Sequence, residues 1–420
     1  MKYDVTIVGA GPAGSTTAKF LAEKGVKVLL IDKDKFPRDK PCGGGLPARV
    51  LEKYSYINNE KIIEAYSYGG TLFSPSLKNK IDVKKDTPII GTTLRKIFDY
   101  ELVKIAKKSG AIFQDGKQVS DVKIFDDKAT VILKDGETID SEIIVGADGV
   151  WSVIAQKVGL REKSCKMRIC FFQEFEIDGA VMDKYYTKSR KSYIHSRFQN
   201  TTGYGWVFPK KKHLNIGLGN LWSTNYDIDN KNVKKHYHAY ISYLKNNKLI
   251  PKNLKPVKIK GGALPFYPLE KTYGNRIILV GDAGGFINPI SGEGIYYAMT
   301  SGEIAAKVII EALGKKEINE KFLSKFQKSW KKEFGKDLNL MYKALKRPIP
   351  KEIDRSFEIV KSDQKLKEIF IGITTGELSI NKYKWNIILR HIIASIKIQI
   401  KRNLNRGQSK IYNKAEKKTI

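Results

Sequence analysis

The sequence predicts an α/β protein, α+β overall, in which a Rossmann-like dinucleotide-binding domain is interleaved with an antiparallel-sheet substrate domain and followed by a helical C-terminal region. Three observations predict it. A strand, glycine turn, helix and strand open the chain; the buried-strand-then-glycine style returns near residues 146 and 281; and between those returns the apolar pattern takes the two-residue period of sheet. At 420 residues one core is not expected to suffice. The dinucleotide-binding domain is therefore expected to comprise 1–48, 91–162 and 274–313, the β-rich domain 49–90 and 163–273, and the helical region 314–420.

The first unit reads "YDVTIVG", a β-branched strand, then "AGPAGSTTAKFLAEKG", an amphipathic helix, then "VKVLLIDK", a second strand. Gly9, Gly11 and Gly14 give G-x-G-x-x-G between strand and helix, with Ala13 inside the motif and Asp32 ending the next strand. Gly9 permits the tight turn, Gly11 lets the backbone approach a pyrophosphate at the helix N-terminus, and Gly14 lets the helix pack closely. Asp32 is placed to accept a ribose hydroxyl. These residues leave NAD and FAD both open.

From about 50 to 90 the pattern is weaker and broken by turns, consistent with a few strands of another layer. The stretch "LRKIFDYELVKIAKKSG" has helical spacing, followed by "AIFQ", a hairpin-rich stretch and "SEIIVGADGVWS". Residues 165–262 read mainly as antiparallel sheet, including "GYGWVFPKKKHLNIGLG", two strands joined by a Pro-Lys turn. A buried strand in "NRIILVGDAGGF" precedes a helix from about Gly294 to Leu313, and the lysine-rich remainder reads as helices with short breaks.

The composition, 41% hydrophobic and 29% charged, is that of a folded protein, and no apolar stretch reaches the ~20 residues needed to span a bilayer. The start, "MKYDVTIVGAGPAG", lacks the form of a signal peptide, so a cytoplasmic protein is expected. Cys42, Cys165 and Cys170 make neither a disulfide framework nor a structural metal site, and no metal is expected. The net charge of +32 comes mainly from lysines spread along the chain. No nucleic-acid-binding pattern organises it, which leaves a solvated surface or attraction to anionic phospholipid.

Two later segments point to FAD. "IIVGADGVWS", with Asp148, and "ILVGDAGGFINPISGEG", with Asp282 and Gly294, resemble the second and third fingerprints of the p-hydroxybenzoate-hydroxylase-like FAD superfamily. The resemblance implies that Asp282 reaches the ribityl and phosphate region and that the helix opening at Gly294 and Ile295 points its N-terminus at the flavin, where a positive helix end favours negative charge. It also implies cofactor contacts from Arg95, in "LRKIFD", and from the backbone of Val119.

Within that superfamily, "PCGGGLP", "GYGWVFPK" and "GDAGGFINPISGEG" are similar to the geranylgeranyl reductase family, in its archaeal digeranylgeranylglycerophospholipid reductase branch. The implied activity is FAD-dependent saturation of C=C bonds in geranylgeranyl chains of archaeal-type ether phospholipids, in membrane lipid biosynthesis. In this reading Cys42, Gly43, Gly44 and Gly45 run past the isoalloxazine ring. Cys42 is a cofactor contact and the candidate catalytic residue, with packing and chemistry both open as its role. Tyr204, Trp206 and Phe208 alternate along one strand and share a face suited to the wall of an apolar tunnel. Asp32 stands where the family usually has Glu, shortening the reach toward ribose.

There is no second G-x-G-x-x-G, so ferredoxin, a reduced deazaflavin and NAD(P)H remain equal as electron donor. In the tail, "KWNIILRHIIASIKIQIKRNLNRGQSK" puts Trp385, Leu389, Ile392, Ile396 and Ile400 on one helical face, with Arg390, Lys397 and Lys401 nearer the other. That pattern, with basic residues continuing to Lys418, suits either a helix on the inner face of the cell membrane or one docked on its own protein. A flavin monooxygenase or halogenase shares the fingerprints, although many hydroxylases of the superfamily carry His where this chain has Gly285. A quinone-linked electron-transfer flavoprotein and a non-catalytic flavin-containing lipid-binding protein are the remaining alternatives.

Overall fold

Strand Tyr3–Val8 lies inside the first sheet and is largely buried on both faces, Val5 and Ile7 on one and Thr6 and Val8 on the other, as a parallel strand covered on both sides must be. The computed structural model describes residues 3–162, 167–221, 230–345 and 350–416. Tyr3–Val8 pairs in parallel with Val28–Asp32 on one side and Thr138–Gly146 on the other, with Val5 opposite both Val28 and Ile143. The sheet continues through Ile112–Asp115 at one edge and Ile277–Leu279 then Tyr273–Gly274 at the other, and an antiparallel pair, Val119–Ile124 and Ala129–Leu133, branches from Thr138–Gly146. Helices Pro12–Ala22, Arg95–Lys108 and Ile295–Lys315 contribute to one side of this sheet's core, where Leu21, Val103 and Ile309 meet Ile7, Leu30 and Val145. Leu29, Ile31, Val131 and Ile154 form the core of the other side.

The second sheet has seven strands, in the order Lys260–Pro265, Met167–Glu176, His213–Leu221, Tyr204–Pro209, Ser192–Ser196, Gly69–Phe73 and Lys80–Lys84. Its pairs are antiparallel except Ser192–Ser196 with Gly69–Phe73, which run parallel. One face carries a large core, including Val207, Leu214 and Ile216, covered by Tyr237, Tyr240 and Leu244 of helix Asn230–Asn246. The opposite face carries a small separate cluster of Cys170, Phe172 and Trp206 with Tyr204 and Phe208. A short three-stranded sheet, Gly45–Pro47, Ile90–Thr92 and Ala65–Ser67, joins the two larger ones.

Residues 165–262 thus hold more helix than the sequence pattern predicts, namely Gly179–Tyr186 and Asn230–Asn246. The reason is local. In Asn230–Asn246 the buried positions Val233, Tyr237, Tyr240 and Leu244 keep helical spacing, but three are of β-favouring type and lysines and histidines dilute the pattern. Cys165 lies outside the described residues.

Past helix Ile295–Lys315, Glu320–Trp330 extends the first core with Phe322, Phe326 and Trp330. Helices Pro350–Ser362 and Gln364–Thr374 pack on the edge strand Lys80–Lys84 through Phe357, Val360 and Leu366 against Ile81 and Val83. The tail helix, Ile380–Glu416, docks on them through Ile387, Ala394 and Ile398, with Arg390 paired to Asp363 at 2.9 Å. Its other face is bare: Trp385 is 70% exposed, and Leu389, Ile392, Ile396, Ile400 and Leu404 are each at least half exposed. One face of this segment is thus docked on the protein and the other is exposed. The Lys401 side chain and Lys418 lie outside the described residues.

Candidate active site

The glycine turn is built by contact. Gly9 has φ +104°, and a Cβ there would fall 2.3 Å from the Ala147 carbonyl oxygen, while one on Gly14 would fall 1.9 Å from the Gly9 carbonyl oxygen. Only glycine fits either place. A Cβ on Gly11, the N-cap of Pro12–Ala22, would meet nothing nearer than Arg38 Nη2 at 3.7 Å, so this side of the turn is open. An open cradle of backbone N–H groups at a helix N-terminus, with a guanidinium beside it, fits a pyrophosphate. Ala13 is buried in the first turn of the same helix.

Asp32 is 7% exposed and braces this turn: Oδ2 accepts the Ala10 N–H at 2.7 Å and Oδ1 accepts the Asp34 N–H at 3.0 Å. Each oxygen keeps a second lone pair, so the carboxylate is fixed in place before any hydroxyl reaches it. The Lys117 N–H donates to the Asp32 carbonyl at 2.8 Å, which brings buried Val119, the first residue of its strand, to the same end of the sheet.

Arg95 opens helix Arg95–Lys108 and donates through Nε and Nη2 to both oxygens of Asp99, one turn on, at 2.7 and 2.8 Å. Asp99 is fully buried, and Arg38 Nη1 lies 2.9 Å from its Oδ2. One carboxylate therefore holds two guanidinium groups, Arg38 on the side of the glycine turn and Arg95 on the side of Cys42. Burial alone would push the Asp99 carboxyl up; Arg95, and after it Arg38, bring it below the usual carboxylate range. Burial likewise opposes the charge on Arg95, and Asp99 outweighs it, so Arg95 stays protonated. Arg38 and Asp99 were not singled out from sequence; the available signal was an Arg and an Asp four apart at a helix start.

The cysteine and three glycines lie against the aromatic strand Tyr204–Pro209. The Gly44 N–H donates to Cys42 Sγ at 3.3 Å, and Gly44 has φ +74° with its Cα pressed so close to Thr93 that a Cβ would sit 2.1 Å from that carbonyl oxygen. A Cβ on Gly43 would stand 3.1 Å from the Phe208 ring and 3.2 Å from Trp206 Nε1, and Gly45 also borders Phe208. Tyr204, Trp206 and Phe208 share one face, with successive ring centroids 5.7 and 6.3 Å apart. The Tyr204 hydroxyl donates to the Ser291 carbonyl, tying this wall to the loop that precedes helix Ile295–Lys315. Cys170 borders the same wall, its thiol pushed up to about 12, chiefly by burial, so it is a neutral neighbour.

Asp148 and Asp282 close the site from the first sheet. Asp148 Oδ2 accepts the Ile154 N–H at 3.1 Å, while its buried Oδ1 has no hydrogen-bond partner among the described residues, and burial raises the carboxyl above its ordinary value. A buried acceptor oxygen left open beside the glycine turn is what a cofactor hydroxyl would satisfy. A Cβ on Gly294 would lie 3.5 Å from Asp282 Oδ1, so the two are neighbours. Gly294 caps Ile295–Lys315 without a side-chain bond, Ile295 packs into a cluster with Leu46 and Phe98, and Glu293 Oε1 accepts the Tyr296 N–H at 2.6 Å. Glu293 is in turn held by Arg49 at 2.5 Å. No group of metal-ligating side chains occurs among the described residues.

Comparison with known proteins agrees with this geometry. The FAD binding domain family matches residues 2–322. The chain is 31% identical over 395 residues to the digeranylgeranylglycerophospholipid reductase of Methanocaldococcus jannaschii, covering 91% of this chain and 97% of that one. Its fold is like that of a geranylgeranyl bacteriochlorophyll reductase-like protein of Thermoplasma acidophilum, with a TM-score of 0.77 at 22% identity, covering 91% and 98% of the two chains. A flavin-dependent brominase has the same fold, with a TM-score of 0.72 at 20% identity over 96% and 100% of the chains. The cofactor is FAD, and the chain belongs to the FAD-binding flavoprotein family, in its digeranylgeranylglycerophospholipid reductase group.

Proposed function

We propose that the protein saturates C=C bonds in the geranylgeranyl chains of an anionic ether phospholipid. The observation that carries this reading is the second aromatic face of the seven-stranded sheet: Tyr204, Trp206 and Phe208 stand apart from that sheet's main core and border the Cys42 to Gly45 backbone. An unactivated alkene offers no polar handle, so it has to be held by shape against apolar walls with water excluded. Reduced FAD, when bound, supplies the hydride. The chain's part is to orient the alkene over the aromatic wall, to keep the Arg95 and Arg38 charges fixed by Asp99, and to bring a proton to the second alkene carbon. Cys42 Sγ, beside Arg95 and the Gly44 N–H, is the proposed proton-bearing atom. The fold is shared with the brominase, so fold alone does not choose between reduction and oxygenation. Against oxygenation, Gly285 has φ +80° and a Cβ there would be 2.4 Å from the Tyr267 carbonyl oxygen, so a histidine would not fit.

The test is anaerobic. Dithionite-reduced holoprotein is mixed with a geranylgeranyl ether phospholipid while flavin absorbance and lipid mass are followed. Reoxidation with a gain of two hydrogens per bond is expected; a flavin that stays reduced until oxygen is admitted would reject the reading. Replacing dithionite in turn by reduced ferredoxin, reduced deazaflavin and NAD(P)H in the same assay chooses among the three donor classes.

The substrate would be met at a membrane surface, and the bare face of the tail helix is the proposed point of attachment. No described helix is long and apolar enough to cross a membrane, but this one lays an apolar stripe from Trp385 to Leu404 beside Lys384 and Lys397 on a chain of net charge +32. Apolar burial and attraction to anionic lipid add in that arrangement. Leu389→Gln with Ile396→Gln should weaken sedimentation of the full chain with anionic vesicles by about a hundredfold, from two lost burials of roughly 1.5 kcal/mol or more each. Unchanged sedimentation would assign the stripe to another partner.

A further inference from the structure

We infer that Asn215 is a positioning residue of the reducing site, acting through the Trp206 indole and the Cys42 backbone. Its consequence for turnover rests on the reductase reading; its structural half does not. Asn215 is fully buried on strand His213–Leu221, directly across from Phe208 on one side and Glu174 on the other, so the three form one row on the face that meets Cys42. The next row is Trp206, Gly217 and Phe172. The indole lies flat on the backbone there: a Cβ on Gly217 would fall 2.0 Å from Trp206 Cζ2, and one on Gly219 would fall 2.9 Å from Cζ3.

Something must fix the indole on that glycine floor, and Asn215 does so from the row beside it. Trp206 Nε1 donates to Asn215 Oδ1 at 2.7 Å. Asn215 Nδ2 donates to Glu174 Oε2 at 3.2 Å and reaches the Cys42 carbonyl at 3.4 Å. Glu174 Oε1 is held 2.8 Å from Lys210 Nζ, whose side chain is 1% exposed and approaches Gly44. The amide orientation follows from its neighbours, because an indole N–H only donates and an ionised carboxylate only accepts. A carboxamide accepts from one and donates to the other at the same time. Aspartate keeps the acceptor and loses the donor; leucine, of similar size, loses both. The Lys210 to Glu174 pair thus sets the amide, and the amide sets both the aromatic floor and the loop that carries Cys42.

The test uses holoprotein labelled with fluorotryptophan, the Trp206 fluorine resonance being assigned by its loss in Trp206→Phe. Asn215→Leu should shift or broaden that resonance, while Asn215→Asp paired with Glu174→Gln, which keeps the acceptor for the indole and moves the donor to position 174, should retain it. In anaerobic single turnover with geranylgeranyl ether phospholipid, Asn215→Leu should slow lipid saturation by about tenfold or more in the native background and by about threefold or less beside Trp206→Phe, where only its contact with the Cys42 carbonyl is left to lose. An unmoved resonance, or equal losses in both backgrounds, overturns the inference. Should Asn215→Leu not retain FAD, the Asn215→Asp, Glu174→Gln pair decides it, since loss of the Trp206 resonance there removes Oδ1 as the anchor. Should the native protein fail to saturate the lipid, the reductase reading falls and the resonance alone decides the role of Asn215.

Discussion

Asp99→Ala is expected to destabilise the protein by about 3–5 kcal/mol, the usual penalty for leaving a buried charge without its partner, and to yield protein largely without FAD. The carboxylate is fully buried between Arg95 and Arg38 and accepts two hydrogen bonds from the first alone. Removing it leaves two guanidinium groups facing each other in a dry space. Asn at the same place restores volume and part of the hydrogen bonding but no charge, so Asp99→Asn should fall between the two in denaturant unfolding and in bound flavin. The pair also has a pH signature. Because the folded Asp99 carboxyl lies below its unfolded value, it contributes stability above about pH 4, the ordinary carboxylate range, and that contribution is lost as pH falls through the lower folded value. Acid unfolding of Asp99→Asn should lack this component. If the two proteins lose stability in parallel below pH 4, the carboxylate is not what holds the arginines.

The parts of this site legible in the sequence are those where a residue type has one physical reason to be present. Gly9 and Gly14 are such cases: each sits where a Cβ would overlap a carbonyl oxygen, and the spacing between strand and helix announces it. The alternation of Tyr204, Trp206 and Phe208 likewise fixes a shared face, since strand periodicity leaves no other choice. What was not legible depends on contacts between distant segments. Asp99 looks like an ordinary helical acid until the fold carries Arg38 to it, and Asn215 looks like a polar residue in a strand until Glu174 and Cys42 arrive from 41 and 173 residues away. The glycines of "PCGGGLP" were legible as a close approach, but the surfaces approached, Phe208, Trp206 and the Thr93 carbonyl, come from elsewhere in the chain. The helix Asn230–Asn246 was missed because its buried face is built largely from tyrosines, whose preference for strands hides a correct helical spacing.

Gly217→Ala should separate the two halves of the site more sharply than any change to the cofactor cradle. The added methyl would overlap three atoms of the Trp206 indole, at 2.0, 2.4 and 2.5 Å, so the ring must leave the sheet surface. Overpacking of this kind costs about 1–3 kcal/mol, which a chain of this size should survive, and the glycine turn, Asp32 and Asp99 are all untouched. The variant is therefore expected to be yellow, with native FAD content and dithionite reduction, yet to saturate geranylgeranyl lipid about a hundredfold more slowly, since misplacement by about an ångström is enough for such a loss. Adding Trp206→Leu relieves the overlap but leaves a smaller side chain and an Asn215 Oδ1 without its indole donor, so thermal stability should recover in part at most and turnover not at all, because the floor is gone rather than displaced. Full turnover in Gly217→Ala would mean that the alkene does not rest on this ring, and the wall would have to be sought on the other side of Cys42.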